Sequence, residues 1–490
     1  MINYDPKEQP SYHLLICLIE IWNKGDKKPE DLMMPSGKAD MMIAEVQSLE
    51  IRESYKNVID TASIKFPRGT VIKKTLESGT IADYGSAVMA TREDSGIVVE
   101  KRTNSEVAQA ANFEIGSRIR IRLGYTTDPK VYNLTKVSAG RDSIYTSNSL
   151  YSEYVGHLKI MFEGFITKVS VDTPIELQCQ SLTYVLKRIT CKKIITGNKT
   201  TVKDLLQEPS KKTKGIFPAS CGIKIDPNLP DITIGKVQIT EDLTVFDVLN
   251  QFQRWKIYPY LIWDSEGNPM LTVKRSYTST VVKEGNDNVL NSTDTPVKID
   301  FNYHVASDGL ELLHTEKDFL AVKASCKGKD DKETTFLTII RNPEYDPNVK
   351  GSEAFRVVNE KKISKKAMKK HHIKMVSEGS SKINLSEYTV IEYQSKRIGL
   401  THDQLLDEAI KFYGDYNMNG IEGSLNLFGD LKLKTACIVE LYDRRFPLKN
   451  GKYLVEEVVT SFGTHGFRQE IKLPYCLERK EPEKNQNNGN

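Results

Sequence analysis

The sequence predicts a β-rich α+β fold, because strand patterns recur along the chain and helical patterns are fewer. Apolar and charged residues alternate from Arg118 to Leu123, which is typical of a strand with one buried face and one wet, cationic face. The same alternation recurs from Ile175 to Gln180 and from Phe467 to Leu473. The strongest helical pattern runs from Asp403 to Tyr416, after a capping box at 401–404.

Length and composition indicate several domains. The 490 residues exceed what one hydrophobic core supports and predict two to four domains. The net charge of +4 arises from 69 basic and 65 acidic residues, so bulk charge gives no support for nucleic-acid binding. The seven cysteines have no regular spacing, and we expect small buried thiols in a reducing compartment.

The first region, residues 1–40, predicts a polar arm followed by a strand at Leu14–Trp22. The apolar run Leu14–Ile19 is too short to span a membrane, and no basic region precedes it. We therefore expect neither a membrane span nor a signal peptide.

Residues 41–190 predict the first β domain. Strands at Met42–Ile51 and Ala62–Phe66 lead into it, and a short helix after Leu182 ends it. A long polar loop, 126–154, interrupts the strands, and loops of that length often contact a partner. The candidate interface residues are the loop tyrosines and the preceding arginines: Tyr132, Tyr145, Tyr151, Tyr154, Arg118, Arg120 and Arg122. A surface loop without a partner explains the same composition.

Residues 191–297 predict a small α+β domain. Thr201 and Thr244 each precede an aspartate by three residues, which is the pattern of a helix N-cap. A hairpin follows, with one strand at Ile257–Trp263 and its turn at Asp264–Pro269.

Residues 298–476 predict a second β-rich domain with the helix 403–416 inserted. We expect its strands 435–442 and 452–459 to form a hairpin through Asn450–Gly451, a frequent two-residue turn. Residues 477–490 form a polar tail.

Motifs for catalysis are missing from the sequence. There is no HExxH, GxSxG or P-loop, so we expect no enzyme activity, no cofactor and no metal. The adjacent His371 and His372 do not share a face of a helix or strand, which argues against a metal site. The basic run Lys361–Lys374 predicts either a patch for an acidic partner or DNA, or a solvated loop. No aromatic residues interleave with it, which argues against direct nucleic-acid binding.

Several segments resemble a known family when they are taken in order. The strand ending in Gly124–Tyr125, the strand Phe162–Val169 and the segment Pro174–Arg188 resemble the first barrel of phage tail hub proteins, which is shared with the hub part of type VI secretion spikes. Ile59–Gly69 is similar to the strand that precedes this barrel. The final strands, ending at Gly466–Leu473, resemble the second hub barrel.

The resemblance implies two similar β-barrel domains, formed by two separate curled sheets, with the small α+β domain between them. It implies a structural tail or baseplate hub protein: a homotrimeric ring of six barrel units that adapts a six-fold tail tube to a three-fold spike. The implied partners are the tail tube, spike, tape-measure and baseplate proteins. The implied location is the tail or baseplate of a virion, or a related contractile injection system, after synthesis in the bacterial host cytoplasm.

Two alternatives stay open from sequence. A hub-borne cell-wall-degrading enzyme would need an acidic or metal site within residues 70–112 or 343–386, or a carboxylate pair such as Glu163 with Asp172. A receptor-binding tail protein would need an exposed tip that binds sugar or protein.

Overall fold

The described residues of the computed structural model cover most of the chain. They are 13–35, 37–67, 71–75, 81–86, 113–135, 144, 147–170, 174–197, 199–210, 215–230, 232–255, 257–264, 266–275, 296–313, 320–328, 334–341, 352–358, 363–376, 388–395, 398–416, 420–429, 431, 433–474 and 476–479. The predicted arm 1–10 and most of 70–112 lie outside these ranges.

Strands dominate the described residues. They are β1 Leu14–Trp22, β2 Met41–Ile43, β3 Ser48–Ser54, β4 Thr61–Lys65, β5 Val71–Thr75, β6 Ile81–Ser86, β7 Arg118–Thr126, β8 Leu158–Val169, β9 Glu176–Ser181, β10 Ile194–Ile195, β11 Lys224–Ile225, β12 Gln238–Ile239, β13 Ile257–Trp263, β14 Pro269–Arg275, β15 Val297–Asp300, β16 Val305–Leu313, β17 Leu320–Lys327, β18 Thr334–Arg341, β19 Phe355–Val358, β20 Ile373–Val376, β21 Thr389–Gln394, β22 Gly420–Phe428, β23 Ile438–Tyr442, β24 Gly451–Leu454, β25 Glu457–Gly463, β26 Gly466–Leu473 and β27 Cys476–Arg479.

In the described ranges the helices are short except for one. The α-helices are Pro129–Asn133, Asn148–Gly156, Val202–Leu205, Val245–Phe252, Phe301–His304, Lys365–Lys370 and His402–Tyr416. The 3-10 helices are Pro29–Leu32, Leu182–Arg188, Ala219–Cys221, Gln253–Trp255 and Pro447–Lys449.

One sheet of 13 strands connects the N-terminal and C-terminal parts of the chain. Its order is β16-β22-β26-β25-β3-β4-β9-β8-β7-β1-β2-β5-β6. The connection is the antiparallel pair β25–β3, in which Glu457 lies opposite Ser54 and Gly463 lies opposite Ser48. We expected two separate curled sheets, and this expectation was wrong: strands distant in sequence pair along seven positions.

Smaller sheets accompany the large one. β15-β23-β24-β27 form a four-stranded sheet, and β20-β19-β18-β17-β21 form a five-stranded sheet. β11-β14-β13 and β10-β12 belong to the region that the sequence assigned to a small α+β domain. Each described sheet is open at its edges. The β-rich α+β class is confirmed, whereas the arrangement as two similar barrels stays a prediction.

The apolar cores lie against the sheets. The core beneath β1, β3, β4, β7, β8 and β9 also contains Phe462 and Phe467 from β25 and β26, so both parts of the chain share it. A separate core joins the helix Val245–Phe252 to Leu271 and Val273 of β14. A third core packs the helix His402–Tyr416 against the five-stranded sheet.

Local helix signals are confirmed. The hydroxyls of Thr201 and Thr244 accept hydrogen bonds from the backbone N–H of Asp204 and Asp247, which caps both helices as predicted. The helix expected at 403–416 spans His402–Tyr416. Periodic apolar residues and caps act within one helix, so sequence alone reveals them.

The expected hairpin turn at Asn450–Gly451 was wrong. Residues 443–450 form a longer loop, which includes the 3-10 turn Pro447–Lys449. The side-chain oxygen of Asn450 accepts a hydrogen bond from Asp443 N at 2.6 Å, so Asn450 closes the loop from one end. The single strand expected at 452–459 is split, because β24 joins the four-stranded sheet and β25 joins the large one.

Candidate interface surface

Three neighbouring strands place acidic and basic residues side by side. In the register of β1, β7 and β8, Glu20 lies opposite Arg120, and Arg120 lies opposite Glu163. Because side chains of directly opposed residues point to the same side of a sheet, these three groups share one face. Arg118 and Arg122 flank Arg120 on that face.

Each arginine of β7 has a carboxylate partner. Glu163 Oε1 lies 2.9 Å from Arg118 Nη2 and 2.6 Å from Arg120 Nε. Glu20 Oε2 lies 2.8 Å from Arg122 Nε. Three guanidinium groups thus share two carboxylates, and we call these five residues the arginine cluster.

The cluster is covered, so the expected wet, cationic face was wrong. Arg118 is 1% exposed, and Glu20 and Glu163 are also buried. The helices from the loop 126–154 lie over this face of the sheet, where Tyr154 packs with Ile16 and Leu18 of β1. Alternation in β7 predicts two distinct faces, but it cannot reveal that a later segment covers one of them.

Burial changes the acid–base properties of Arg118. Desolvation lowers its pKa to about 10, although the carboxylate of Glu163 opposes this change. An arginine removed from water is costly unless its charge is compensated, which explains the short contacts to Glu163. The cluster therefore fixes the sheet rather than offering a free group for catalysis.

Two of the candidate tyrosines attach the covering helix to the sheet. The Tyr151 hydroxyl donates to Glu20 Oε1 at 2.5 Å, and the Tyr154 hydroxyl donates to the carbonyl oxygen of Cys17 at 3.1 Å. Burial and the charge of Glu20 raise the pKa of Tyr151. Tyr132, in the helix Pro129–Asn133, is half-buried and packs against the same core, and Tyr145 lies outside the described residues.

The covering helix Asn148–Gly156 retains an exposed side. Ser149, Ser152 and Glu153 point to solvent, whereas Tyr154 is buried. A recess beside Tyr151 has about 20 Å³ of space, enough for one water and too little for a substrate. The solvent-facing part of this region is therefore the exposed side of the helix.

His371 and Glu163, which the sequence singled out, have partners within the protein. His371 Nε2 lies 2.6 Å from Asp407 Oδ1, so the histidine joins the helix Lys365–Lys370 to the helix His402–Tyr416. Glu163 belongs to the arginine cluster, and Asp172 lies outside the described residues. In the described part of the chain, no group of three or more His, Cys, Asp or Glu residues could hold a metal ion. Nor does that part contain a helix long and apolar enough to cross a membrane.

Sequence reasoning missed two features. Glu20 was not singled out, although a lone acid within the apolar run of β1 could have indicated a buried partner for an arginine. The exposed loop around Phe446 was also missed, because Asn450–Gly451 was interpreted as a tight turn. The sequence signal for this loop was an apolar run within a turn, Phe446–Pro447–Leu448.

Comparisons with known proteins give structural neighbours only. No family model matches this chain. No curated protein matches it either. The solved structures to which it is similar include phage tail proteins and type VI secretion components.

Two neighbours are similar in length to this chain. A tail protein from Neisseria meningitidis MC58 has a TM-score of 0.42 and 10% identity, with 94% of this chain and 96% of that chain covered. The 43 kDa tail protein of prophage MuSo2 from Shewanella oneidensis has a TM-score of 0.44 and 10% identity, with 95% and 99% covered. The Francisella PdpA–VgrG complex has a TM-score of 0.41 and 11% identity, covering 96% of this chain and 59% of that chain.

Proposed function

We propose that this chain is a structural hub protein of a phage tail, baseplate or related injection machine. It assembles as a homotrimer whose β-rich halves form a ring of six units, between a six-fold tail tube and a three-fold spike. Its partners are copies of itself and the tube, spike, tape-measure and baseplate proteins. Its place is the tail or baseplate, after synthesis in the bacterial cytoplasm.

The order of structural units along the chain carries the proposal. A β-rich part at 14–181 precedes the α+β unit around the helix Val245–Phe252, and a second β-rich part follows with the helix His402–Tyr416 inserted. The residue patterns that resemble tail hubs occur in the same order. Agreement between the residue patterns and the order of the structural units is more specific evidence than any one short pattern alone.

The open edges of the large sheet support the proposal that the protein acts by assembling with other chains. β16 and β6 end the described order of the large sheet, and strand edges offer unpaired backbone groups to a neighbour. Identical copies that pair through two different surfaces form a closed ring when the rotation between them is a fraction of a full turn. The chain then acts by geometry rather than by a chemical step.

The test is the assembly state of the full-length chain. We expect a mass of three chains by light scattering over a hundredfold range of concentration, and a ring with six lobes in electron micrographs. A chain that stays monomeric over that range, or a particle without six lobes, would contradict the proposal. Activity on purified cell walls would favour the enzyme alternative instead.

A further inference from the structure

Large apolar side chains are exposed together at one end of the four-stranded sheet. In the loop between β23 and β24, Phe446 is 61% and Leu448 is 54% exposed, and Tyr442 at the end of β23 is 48% exposed. Tyr303, in the short helix after β15, is 63% exposed. β15 and β23 are paired, with Asp300 opposite Tyr442, so these side chains lie at the same end of the sheet.

The loop that presents them is held by its own hydrogen bonds. Asp443 is buried, and its Oδ1 accepts from the backbone N–H of Arg445 at 2.8 Å and of Phe446 at 3.1 Å. The backbone N–H of Lys449 donates to the carbonyl oxygen of Phe446 at 3.0 Å. With the bond from Asp443 N to Asn450, these contacts fix both ends of the loop.

The Phe446 ring is also held by a contact within the protein. Lys449 Nζ lies 5.0 Å from the centre of the Phe446 ring and 5.2 Å from that of Phe301, within the range of a cation–π contact. The same ammonium group forms an ion pair with Asp308. A ring held in this way loses little conformational entropy when a partner covers it.

The charged side chains that the loop itself leaves to solvent are basic. Lys449 is paired internally with Asp308, whereas Arg444 and Arg445 are exposed and have no carboxylate partner among the described residues. The Arg444 guanidinium lies 5.9 Å from the centre of the Tyr442 ring. Aromatic and arginine side chains together are the composition of binding hot spots.

We propose that this surface docks a protein partner whose face has apolar side chains bordered by carboxylates. We call it the Phe446 surface; its residues are Tyr303, Tyr442, Arg444, Arg445, Phe446 and Leu448. The partner's apolar side chains pack against Phe446 and Leu448, and its carboxylates pair with the two guanidinium groups. Tyrosine, phenylalanine and arginine are the residue types enriched in protein–protein interfaces, which favours a protein partner over a lipid surface.

The inference goes beyond the hub proposal and does not depend on it. The assembly state tests the hub proposal, whereas binding tests the Phe446 surface, so either proposal can fail without the other.

The probe for the surface is a fluorescein-labelled random copolymer of glutamate and tyrosine, compared with polyglutamate of the same length by fluorescence anisotropy. We expect the full-length chain to bind the copolymer at least tenfold more tightly, because only the copolymer offers apolar groups beside carboxylates.

Two variants alter the surface and two matched variants leave it intact. Phe446→Ser with Leu448→Ser, and Arg444→Glu with Arg445→Glu, should each weaken copolymer binding at least tenfold. The apolar control is Ile398→Ser, at another exposed position, and the charge control is Lys365→Glu with Lys366→Glu. Neither control should change binding by more than twofold, and all variants should retain the parent melting temperature.

Three outcomes would overturn the inference. In the first, the copolymer binds no better than polyglutamate. In the second, the surface variants bind as the parent does, or the controls lose as much. In the third, vesicles of phosphatidylcholine and phosphatidylglycerol bind through Phe446 while the copolymer does not, which would assign the surface to lipid.

Discussion

At the residue scale, the carboxyl groups of Glu53 and Asp60 lie near the pairing of the N-terminal strand β3 with the C-terminal strand β25, in which Glu53 is opposite Val458. Asp60 Oδ1 accepts from the backbone N–H of Ser54 at 3.1 Å, and its own N–H donates to Ser181 Oγ at 3.0 Å. Burial raises the pKa of both Glu53 and Asp60, and the charge of Asp60 raises that of Glu53 further. The Lys434 ammonium group opposes the change at Glu53. No local pattern predicts this pair, since its members meet only after β3 and β4 pair.

These raised pKa values predict that stability falls as pH rises. An unfolded carboxyl group titrates near pH 4, so the folded state holds protons more tightly and is favoured below that pH. Stability is lost as pH rises from about 4 through neutral. Asp60→Asn removes one charge and keeps an oxygen for Ser54, so its melting temperature at pH 8 should exceed that of the parent by about 2 °C or more.

Melting curves from pH 5 to 8 check this expectation. The control is Glu50→Gln at an exposed site of the same strand. The prediction is contradicted if Asp60→Asn melts below the parent at pH 8, or if both variants keep the parent's pH profile.

At the element scale, β8 depends on a glycine where two strands approach closely. A Cβ at Gly164 would lie 2.1 Å from the carbonyl oxygen of Gln180 in β9 and 2.8 Å from the Phe162 ring. The Gly164 carbonyl oxygen also accepts from Arg118 Nη1 at 3.3 Å, so the glycine supports the arginine cluster. The sequence contains this glycine in its hub-like pattern, but only the structure supplies the reason for it.

Gly164→Ala should therefore separate β8 from β9 locally. We expect a loss of about 1–3 kcal/mol or more in the free energy of unfolding, as in other overpacked sites. The matched control is Gly156→Ala, where a Cβ meets no atom within 4 Å and alanine favours the helix. Equal unfolding midpoints in urea for the two variants would refute this account.

At the scale of the whole molecule, Tyr55 connects three parts of the chain. Its backbone N–H donates to Thr435 Oγ1 at 2.7 Å, in the C-terminal part. Its ring, 1% exposed, lies 5.7 Å from that of Tyr258 and 6.3 Å from that of Tyr260, both in β13. The loop between β3 and β4 thus holds the α+β unit and both β-rich parts together.

Tyr55→Ala should weaken the contacts among these three parts more than it weakens any single sheet. We expect a cost of about 3–5 kcal/mol, the range for removing a buried aromatic side chain. In calorimetry, the α+β unit should then unfold separately from the large sheet. Tyr55→Phe keeps the ring and should retain the parent transition; a single unshifted transition in Tyr55→Ala would count against the junction.

The sequence by itself determined the elements whose signals are local. Alternation located β7, β9 and β26, and the caps at Thr201 and Thr244 located two helices. It also determined their order, from which the resemblance to tail hubs follows. These predictions succeeded because residues within a few positions of one another set strand faces and helix ends.

Only the tertiary structure decided which elements meet. Pairing of β25 with β3 joins residues some 400 positions apart, and the loop 126–154 covers the arginines of β7. A strand pattern shows that one face is apolar, but any other strand of matching pattern can pair with its edge. The choice among them depends on burial summed over the whole chain, which no short segment contains.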